Sequence, residues 1–215
     1  MVYNIVLIGP PGAGKGTQAE KLAESLKVPR ITTGDLFRQA VRDKTPLGQK
    51  VQGILESGTL VPDSVVLELM EERMSKSDCA NGFILDGFPR TVGQALGLEQ
   101  WFQKAKKSLD VVVALNVSEE DAVTRMTGRR QCSACGTSYH LQFRAPIKEG
   151  VCNQCGGALV QRKDDEEKTV RHRLKVYAKE TSPLLKFYEE KGLLMTVDGA
   201  QRPAKVFESI SSLIR

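Results

Sequence analysis

The clearest chemical signal in the chain is a glycine- and proline-rich run that leads to a lysine. Residues 9–17 read GPPGAGKGT and directly follow the apolar run 5–8. Glycines let backbone N–H groups turn inward and let phosphate oxygens approach closely, and the start of a following helix adds partial positive charge. Lys15 would reach the outer phosphates. The run therefore predicts a phosphate-binding loop formed by Gly12, Ala13, Gly14, Lys15, Gly16 and Thr17.

The loop departs from the general P-loop pattern at one position. That pattern has Ser or Thr directly after the lysine, whereas this chain has Gly16 there and Thr17 one place later. Either the hydroxyl that faces the metal is displaced, or the loop is a subtype with its own geometry. A glycine-rich turn with a chance lysine is the alternative, but the apolar run before the loop and the helical pattern after it favour a phosphate site.

Basic side chains are the second signal, because phosphoryl transfer needs positioning, Mg²⁺ and cations where negative charge spreads. An ATPase needs fewer cations than this chain offers, whereas two phosphate-bearing substrates would need about this many. Asp86 ends an apolar run, as expected of an acid that holds Mg²⁺ through water, although a simple turn at Asp86-Gly87 is the alternative. The candidate cations are Lys15, Arg38, Arg90, Arg125, Arg129, Arg162 and Arg173.

Four of the five cysteines form two close pairs, Cys132-x2-Cys135 and Cys152-x2-Cys155, with 16 residues between the pairs. This spacing predicts a tetrahedral zinc site, and its role should be structural because four protein ligands leave no open position. Disulfides are disfavoured in a reducing compartment. Iron or cobalt in place of zinc stays open. Cys79 has no neighbouring cysteine and is predicted to be an ordinary, partly buried thiol.

The elements that must position these groups follow an alternating pattern. Apolar runs that predict strands alternate with helical periods, which indicates parallel βαβ units and a doubly wound, five-stranded α/β sheet flanked by helices. Ligands bind at the carboxyl ends of such strands, so the polar stretches there should converge on one cleft. Residues 128–165 have no helical period and predict an inserted small module. The predicted strands are 5–8, 28–31, 83–85, 110–115 and 193–197.

Composition sets the remaining bounds. The 215 residues are 40% hydrophobic, enough for one core with small insertions. The net charge of +5 suits a phosphate-bearing ligand but also nucleic acid. The N-terminus has no basic segment before its short apolar run, and no apolar run has the length of a membrane span, so we expect a cytoplasmic protein without a membrane partner. His140 and His172 are expected to be solvated or structural.

A family resemblance rests on five motifs: GPPGAGKGT, TTGDLFR, GFILDGFPRT, TGRR and QRKDDEEKTVRHR occur in this order across nearly the whole chain. In these five motifs the sequence resembles the adenylate kinases, specifically the bacterial type with a long, zinc-bearing lid. Glycine after the P-loop lysine is the form that this family has. The resemblance implies reversible transfer, Mg·ATP + AMP ⇌ 2 ADP, with structural zinc. It also implies a core of 1–31, 62–127 and 166–215, an AMP-binding segment at 32–61 and a lid at 128–165.

The resemblance also implies roles for single residues. Lys15, the loop amides and Arg129 would hold the ATP phosphates, and Arg125 together with Arg129 would hold phosphates from the hinge of the lid. Asp86 would orient hydrated Mg²⁺. Gln94 would read the adenine edge of AMP. Asp164 and Asp165 would hold the lid arginines in place, and Gly128 is expected to act as a hinge. The residues implied for AMP are Thr33, Gly34, Arg38, Leu60, Val61, Gly87, Arg90, Gln94, Arg162 and Arg173, of which the last two would also clamp the transferring group.

Two alternatives remain open from the sequence. The first is a kinase for another nucleoside monophosphate such as UMP or CMP, because the choice of acceptor depends on few contacts. The second is a P-loop protein whose zinc ribbon binds nucleic acid. Against it, residues 132–161 contain only two basic residues, Arg144 and Lys148, and no dense set of aromatics for stacking. We expect no nucleic-acid partner and a monomer, because no apolar helix demands a partner.

Overall fold

A computed structural model describes residues 3–214 and contains a parallel five-stranded sheet. Its strands in chain order are β1 (Tyr3–Ile8), β2 (Arg30–Thr32), β3 (Gly82–Asp86), β4 (Val111–Asn116) and β8 (Leu194–Asp198). Across the sheet the order is β2-β3-β1-β4-β8, and every neighbouring pair is parallel. The five predicted strands and the doubly wound α/β fold are thus confirmed.

The central strand explains why its sequence is apolar throughout. Helices cover both faces of the sheet, so both sets of alternating side chains in β1 are buried. Val6 and Ile8 contribute to one hydrophobic cluster, while Ile5 and Leu7 contribute to another on the opposite face. All four side chains are at most 2% exposed. The phosphate loop therefore starts from a strand that is buried on both faces of the sheet.

Nine helices surround the sheet in the described part of the chain, residues 3–214. Ser118 accepts a hydrogen bond from the Asp121 N–H and caps its helix. No helix within these residues is long and apolar enough to cross a membrane. The helices are α1 (Lys15–Leu26), α2 (Thr33–Arg42), α3 (Pro46–Ser57), α4 (Asp63–Met74), α5 (Val92–Ala105), α6 (Glu119–Thr127), α7 (Glu167–Val176), α8 (Pro183–Glu189) and α9 (Pro203–Leu213).

The segment 128–165 folds as a small antiparallel sheet, for which the sequence predicted no strands. Its strands are β5 (Arg129–Cys132), β6 (Ser138–His140) and β7 (Leu159–Val160), in the order β6-β5-β7. They are two to four residues long, too short for an alternating pattern to stand out. The predicted absence of helical order in this segment is correct, apart from a single 3₁₀ turn at Lys163–Asp165.

Helices α2 and α3 form a helical hairpin that reaches the small sheet across the cleft. Gly48 allows the two helices to meet, since a Cβ there would lie 2.1 Å from the Ala40 carbonyl oxygen. At the far end of the hairpin, Glu56 forms an ion pair of 3.1 Å with Lys163. The Arg42 guanidinium lies beside Gly136. The segment 128–165 therefore contacts both helices of the hairpin in this conformation.

Candidate active site

The phosphate loop presents its backbone because two of its glycines have positive φ. Gly12 has φ +83°, and a Cβ there would lie 2.6 Å from the Ala122 carbonyl oxygen, so only glycine fits. Gly14 has φ +89° and is the N-cap of α1. With no side chain at the cap, the first N–H groups of α1 stay free for an anion, where the helix dipole also favours negative charge.

The Lys15 side chain folds back onto the backbone of its own loop in this conformation. Its ammonium donates to the carbonyl oxygens of Gly9 at 2.6 Å and Pro10 at 2.8 Å. Burial lowers the pKa of Lys15 to about 8, with neighbouring arginines adding to the effect and Asp86 opposing it. A buried ammonium with a lowered pKa gains most from an anion, so the phosphate chemistry predicted for this residue is consistent with its surroundings.

An ion pair explains the glycine that follows the lysine. Arg30 donates to the Asp86 carboxylate over 2.8 Å, and Asp86 is only 6% exposed. A Cβ at position 16 would lie 3.1 Å from the Arg30 guanidinium and 3.4 Å from Asp86 Oδ2. Gly16 therefore makes room for the ion pair directly under the loop. Sequence reasoning missed Arg30; its only signal was a charged residue within the predicted strand 28–31.

Two adjoining cavities open at the carboxyl ends of the strands, and Leu60, Gly87 and Arg90 line both. The first encloses about 520 Å³ and reaches Lys15 and Arg173. The second encloses about 340 Å³ and lies between the helical hairpin and the sheet. Seven of the ten residues that the resemblance implies for AMP line the second cavity: Thr33, Gly34, Leu60, Val61, Gly87, Arg90 and Gln94. Arg90 thus lies where ligands in the two cavities would meet.

More basic than acidic side chains surround these two cavities. Burial and the proximity of Arg162 lower the pKa of Arg38 to about 10. Burial, with Arg129 and Arg162 nearby, likewise lowers the pKa of Arg173 to about 10. Buried guanidinium groups that lie close to other cations gain from a further negative partner. The site is therefore suited to a strongly anionic ligand.

Two acids organise the arginines of the segment 128–165. Asp165 is fully buried and accepts two hydrogen bonds from Arg129, at 2.8 and 2.6 Å. Asp164 accepts two from Arg162, at 2.9 and 2.6 Å, and one from Arg173 at 2.8 Å. Although burial opposes it, the Arg162 and Arg173 charges lower the pKa of Asp164 to about 2. The acids hold the guanidinium groups as the resemblance implied.

Arg125 lies at the back of the phosphate loop instead of facing either cavity. It donates to the carbonyl oxygens of Gly199 at 2.8 Å, Ala200 at 3.1 Å and Gly12 at 3.4 Å. In this conformation it joins the loop to the end of β8. Its implied contact with phosphate stays a prediction.

The four paired cysteines come together as predicted. Their sulfur atoms all lie within 4.8 Å of one another. The Tyr139 hydroxyl lies 3.4 Å from the Cys152 sulfur, and a Cβ at Gly157 would come within 2.9 Å of the Cys132 sulfur. Four thiolates at this spacing fit a tetrahedral zinc ion with no fifth position, so the site suits a structural metal.

The remaining cysteine and the two histidines are structural or solvent-exposed. Cys79 is fully buried, so the prediction of partial burial was wrong; Arg73, six residues earlier in the chain, donates to its sulfur at 3.1 Å. His140 Nδ1 accepts the N–H groups of Gln142 and Phe143 and so shapes a turn. His172 is exposed. These histidine positions agree with the prediction.

The fold and the site define a P-loop protein with adjoining cavities for two phosphate-bearing ligands, which lie beside the arginine-bearing segment 128–165. Comparison with known proteins narrows this class: a family model described as adenylate kinase matches residues 7–193. The chain belongs to the adenylate kinase family.

Several relatives that carry the name adenylate kinase match almost end to end. A protein from Clostridium tetani is 48% identical over 211 residues, covering 98% of both chains. One from Geobacillus sp. (strain WCH70) is 51% identical over 211 residues, again covering 98% of both. One from Bacillus licheniformis is 49% identical over 211 residues, covering 98% of this chain and 97% of the relative.

Proposed function

We propose that the protein catalyses the reversible reaction Mg·ATP + AMP ⇌ 2 ADP. The observation that carries the proposal is the pair of cavities that share Arg90, one extending to Lys15 and the other to Gln94. Membership of the adenylate kinase family supports the same reaction. Two nucleotides bound this way would meet phosphate to phosphate, as direct in-line transfer requires.

On the donor side, the phosphate loop would bind ATP. Lys15 and the free N–H groups at the start of α1 would hold the outer phosphates. Arg129 would contact them from the segment 128–165. Lys15 must leave the carbonyl oxygens of Gly9 and Pro10 to do so. Arg125 would support the loop from behind. The full set proposed for ATP is Gly12, Ala13, Gly14, Lys15, Gly16, Thr17 and Arg129.

On the acceptor side, the second cavity would bind AMP. Arg38 and Arg90 would pair with its phosphate, because burial, with Arg162 nearby, lowers the pKa of both guanidinium groups and an anion would offset that cost. Thr33, Gly34 and Gly87 would line the nucleotide, with the base held near Leu60 and Val61 and read by Gln94. Arg162 and Arg173 would clamp the transferring group between the two sites.

Closure over both nucleotides has a chemical reason. Water in the cleft would accept the phosphoryl group and turn the kinase into an ATPase. We propose that 128–165 is the lid, 32–61 the AMP-binding segment, and 1–31, 62–127 and 166–215 the core, with Gly128 among the hinges. The ion pair between Glu56 and Lys163 supports closure of the lid onto the AMP-binding segment.

Two metals have distinct roles in the proposal. Mg²⁺ enters with ATP and neutralises charge on the transferring phosphates. Asp86 is suited to orient its hydration shell, since the carboxylate lies directly beneath the loop, 3.4 Å from where a Cβ at position 16 would be. Zinc would be bound by Cys132, Cys135, Cys152 and Cys155, where it stabilises the lid and takes no part in the chemistry.

Location and assembly follow from the same features. Four cysteines arranged to bind a metal, and not paired in disulfides, favour a reducing compartment, which supports the cytoplasm. All residues proposed for the two nucleotides come from one chain, which supports an active monomer.

The choice of acceptor separates this proposal from its nearest alternative. Purified protein with Mg·ATP would be assayed against AMP, GMP, CMP and UMP, with ADP formation coupled to NADH oxidation and metal content measured on the same sample. We expect AMP to be the preferred acceptor and one zinc per chain. Preference for UMP or CMP would replace the proposal with a kinase for that monophosphate.

A further inference from the structure

The side chain of Gln94 is held at both ends of its amide. Gln94 is 1% exposed and lines the second cavity. Its Oε1 accepts the backbone N–H of Arg90 at 2.8 Å, and its Nε2 donates to Asp63 Oδ1 at 2.7 Å. The other carboxylate oxygen of Asp63 accepts from the Thr91 hydroxyl at 2.7 Å. Neither sequence motifs nor the resemblance singled out Asp63.

These two partners fix which way the amide of Gln94 points. A backbone N–H can only donate, and an ionised carboxylate can only accept. If the amide turned over, its NH₂ group would face the Arg90 N–H, and its oxygen would face the Asp63 carboxylate. Both contacts would then be repulsive in a buried place, where an unmade hydrogen bond is costly.

A fixed amide leaves one N–H and one oxygen lone pair of Gln94 unused. Adenine presents an acceptor at N1 beside a donor at its 6-amino group. Hypoxanthine and guanine present the reverse order, a donor at N1 and an acceptor at O6. An amide that can turn over serves both patterns, whereas a fixed amide serves only one. The order of donor and acceptor thus becomes a means of discrimination.

We propose that Asp63 is a positioning residue that sets base specificity: it fixes the Gln94 amide in the orientation that accepts adenine and rejects 6-oxopurines. The inference rests on the proposed function, because it requires AMP in the second cavity. Asp63 acts only through Gln94.

The surroundings of Asp63 agree with a dedicated contact. The residue is the first of α4, and its carboxylate lies over the first turn of α5. A Cβ at Gly93 would lie 2.8 Å from Asp63 Oδ2, so glycine at this helical position leaves space for the carboxylate. Thr91 caps α5 by accepting the Gln94 N–H at 3.1 Å, which keeps the backbone of Gln94 in register with Asp63.

The test compares AMP with IMP, which differ in the order of donor and acceptor at the base edge. Asp63→Asn keeps the side-chain shape but replaces one acceptor by a donor. We expect kcat/KM for AMP to fall about tenfold, mainly because KM rises. The ratio of kcat/KM for AMP to kcat/KM for IMP should also fall by about tenfold. In a Gln94→Ala background the same change should leave the ratio unaltered, because the coupling passes through Gln94.

A matched control makes the same chemical change outside the site. Asp78→Asn removes an exposed carboxylate that pairs with Arg73 near the other end of α4, and it should leave the AMP-to-IMP ratio unchanged. If Asp63→Asn fails to fold, Gly93→Ala displaces the carboxylate instead and should narrow the ratio in the same direction.

The outcomes are distinguishable. Equal losses for AMP and IMP, with the ratio preserved in Asp63→Asn or in Gly93→Ala, would mean that Asp63 is only structural and would overturn the inference. A wild-type protein that does not phosphorylate AMP at all would overturn the proposed function and this inference together.

Discussion

At the scale of single residues, the most informative position is Gly16. It breaks the general P-loop pattern, and its reason lies in two residues far along the chain. The Arg30–Asp86 ion pair occupies the space that a side chain at position 16 would need. The sequence shows the exception, but the pairing that explains it joins strands β2 and β3, and no local pattern encodes such a contact.

Lys15 leads to a prediction about pH. Its pKa is lowered to about 8 mainly by burial, so the free enzyme loses this positive charge as pH rises through that value. We expect kcat/KM for ATP, measured at saturating AMP, to fall between about pH 7 and pH 9 because the outer phosphates then lose a cationic partner.

The matched variants are Lys15→Arg and Lys27→Arg. Arginine at position 15 stays charged, so the decline should disappear even if the overall rate is lower. Lys27 lies at the exposed end of α1, and its variant should retain the wild-type profile. A profile that is flat in the wild type, or that rises across this range, would contradict the assigned role.

Asp164 leads to a prediction about stability. It joins Arg162 and Arg173, so Asp164→Asn leaves both guanidinium groups short of a partner and should lower the free energy of unfolding by roughly 1–3 kcal/mol at neutral pH. Its folded pKa of about 2 lies below the ordinary 3.8, so the contribution is present above about pH 4 and is lost as pH falls towards 2. Chemical denaturation of both proteins over this range measures it. A deficit that grows on acidification would contradict the ion-pair explanation.

At the scale of elements, the proposed lid at residues 128–165 has little apolar packing of its own. Its buried cluster consists of Cys132, Tyr139 and Cys152, with Leu159 packed against it. Two of these are predicted metal ligands, so little hydrophobic core remains if the metal leaves. The cysteine spacing made the metal predictable, while the three short strands around it were not.

Removal of zinc should therefore unfold the lid selectively. We expect chelation to lower the thermal transition temperature and to abolish a low-temperature unfolding step in calorimetry, while circular dichroism of the core persists. Residual phosphoryl transfer should survive. Cys79→Ser should keep the full metal content. An intact fold with abolished catalysis after chelation would instead indicate a catalytic metal.

The contact between the lid and the AMP-binding segment gives a prediction at the same scale. Glu56 and Lys163 are exposed charges that pair only when the two parts meet, so solvent and salt screen the pair and it favours closure only weakly. Glu56→Lys should raise KM for AMP about two- to threefold and increase ATP hydrolysis in the absence of AMP.

A charge swap supplies the control. The double variant Glu56→Lys with Lys163→Glu restores opposite charges and should return KM for AMP towards the wild-type value. Failure of the swap to restore KM, with both single variants impaired, would show that the ion pair itself does not contribute to closure.

At the scale of the whole molecule, sequence patterns predicted the elements that depend on residues close together in the chain. They missed the contacts between residues that are far apart in the chain. The apolar runs of all five strands are local, and the structure confirms them. The Arg30–Asp86 pair spans 56 residues and the Asp63–Gln94 bond spans 31. Such contacts form only when the sheet and helices assemble, so residue types and spacing could not indicate them.

The two cavities that meet at Arg90 carry the central claim, which is direct transfer between two nucleotides in a closed cleft. The most direct measurement starts from ADP and Mg²⁺ alone and follows the reaction by ³¹P NMR. We expect ATP and AMP to appear in equal amounts without inorganic phosphate, because one ADP serves as donor and the other as acceptor. Release of inorganic phosphate, or unchanged ADP in the presence of folded, zinc-loaded protein, would contradict it.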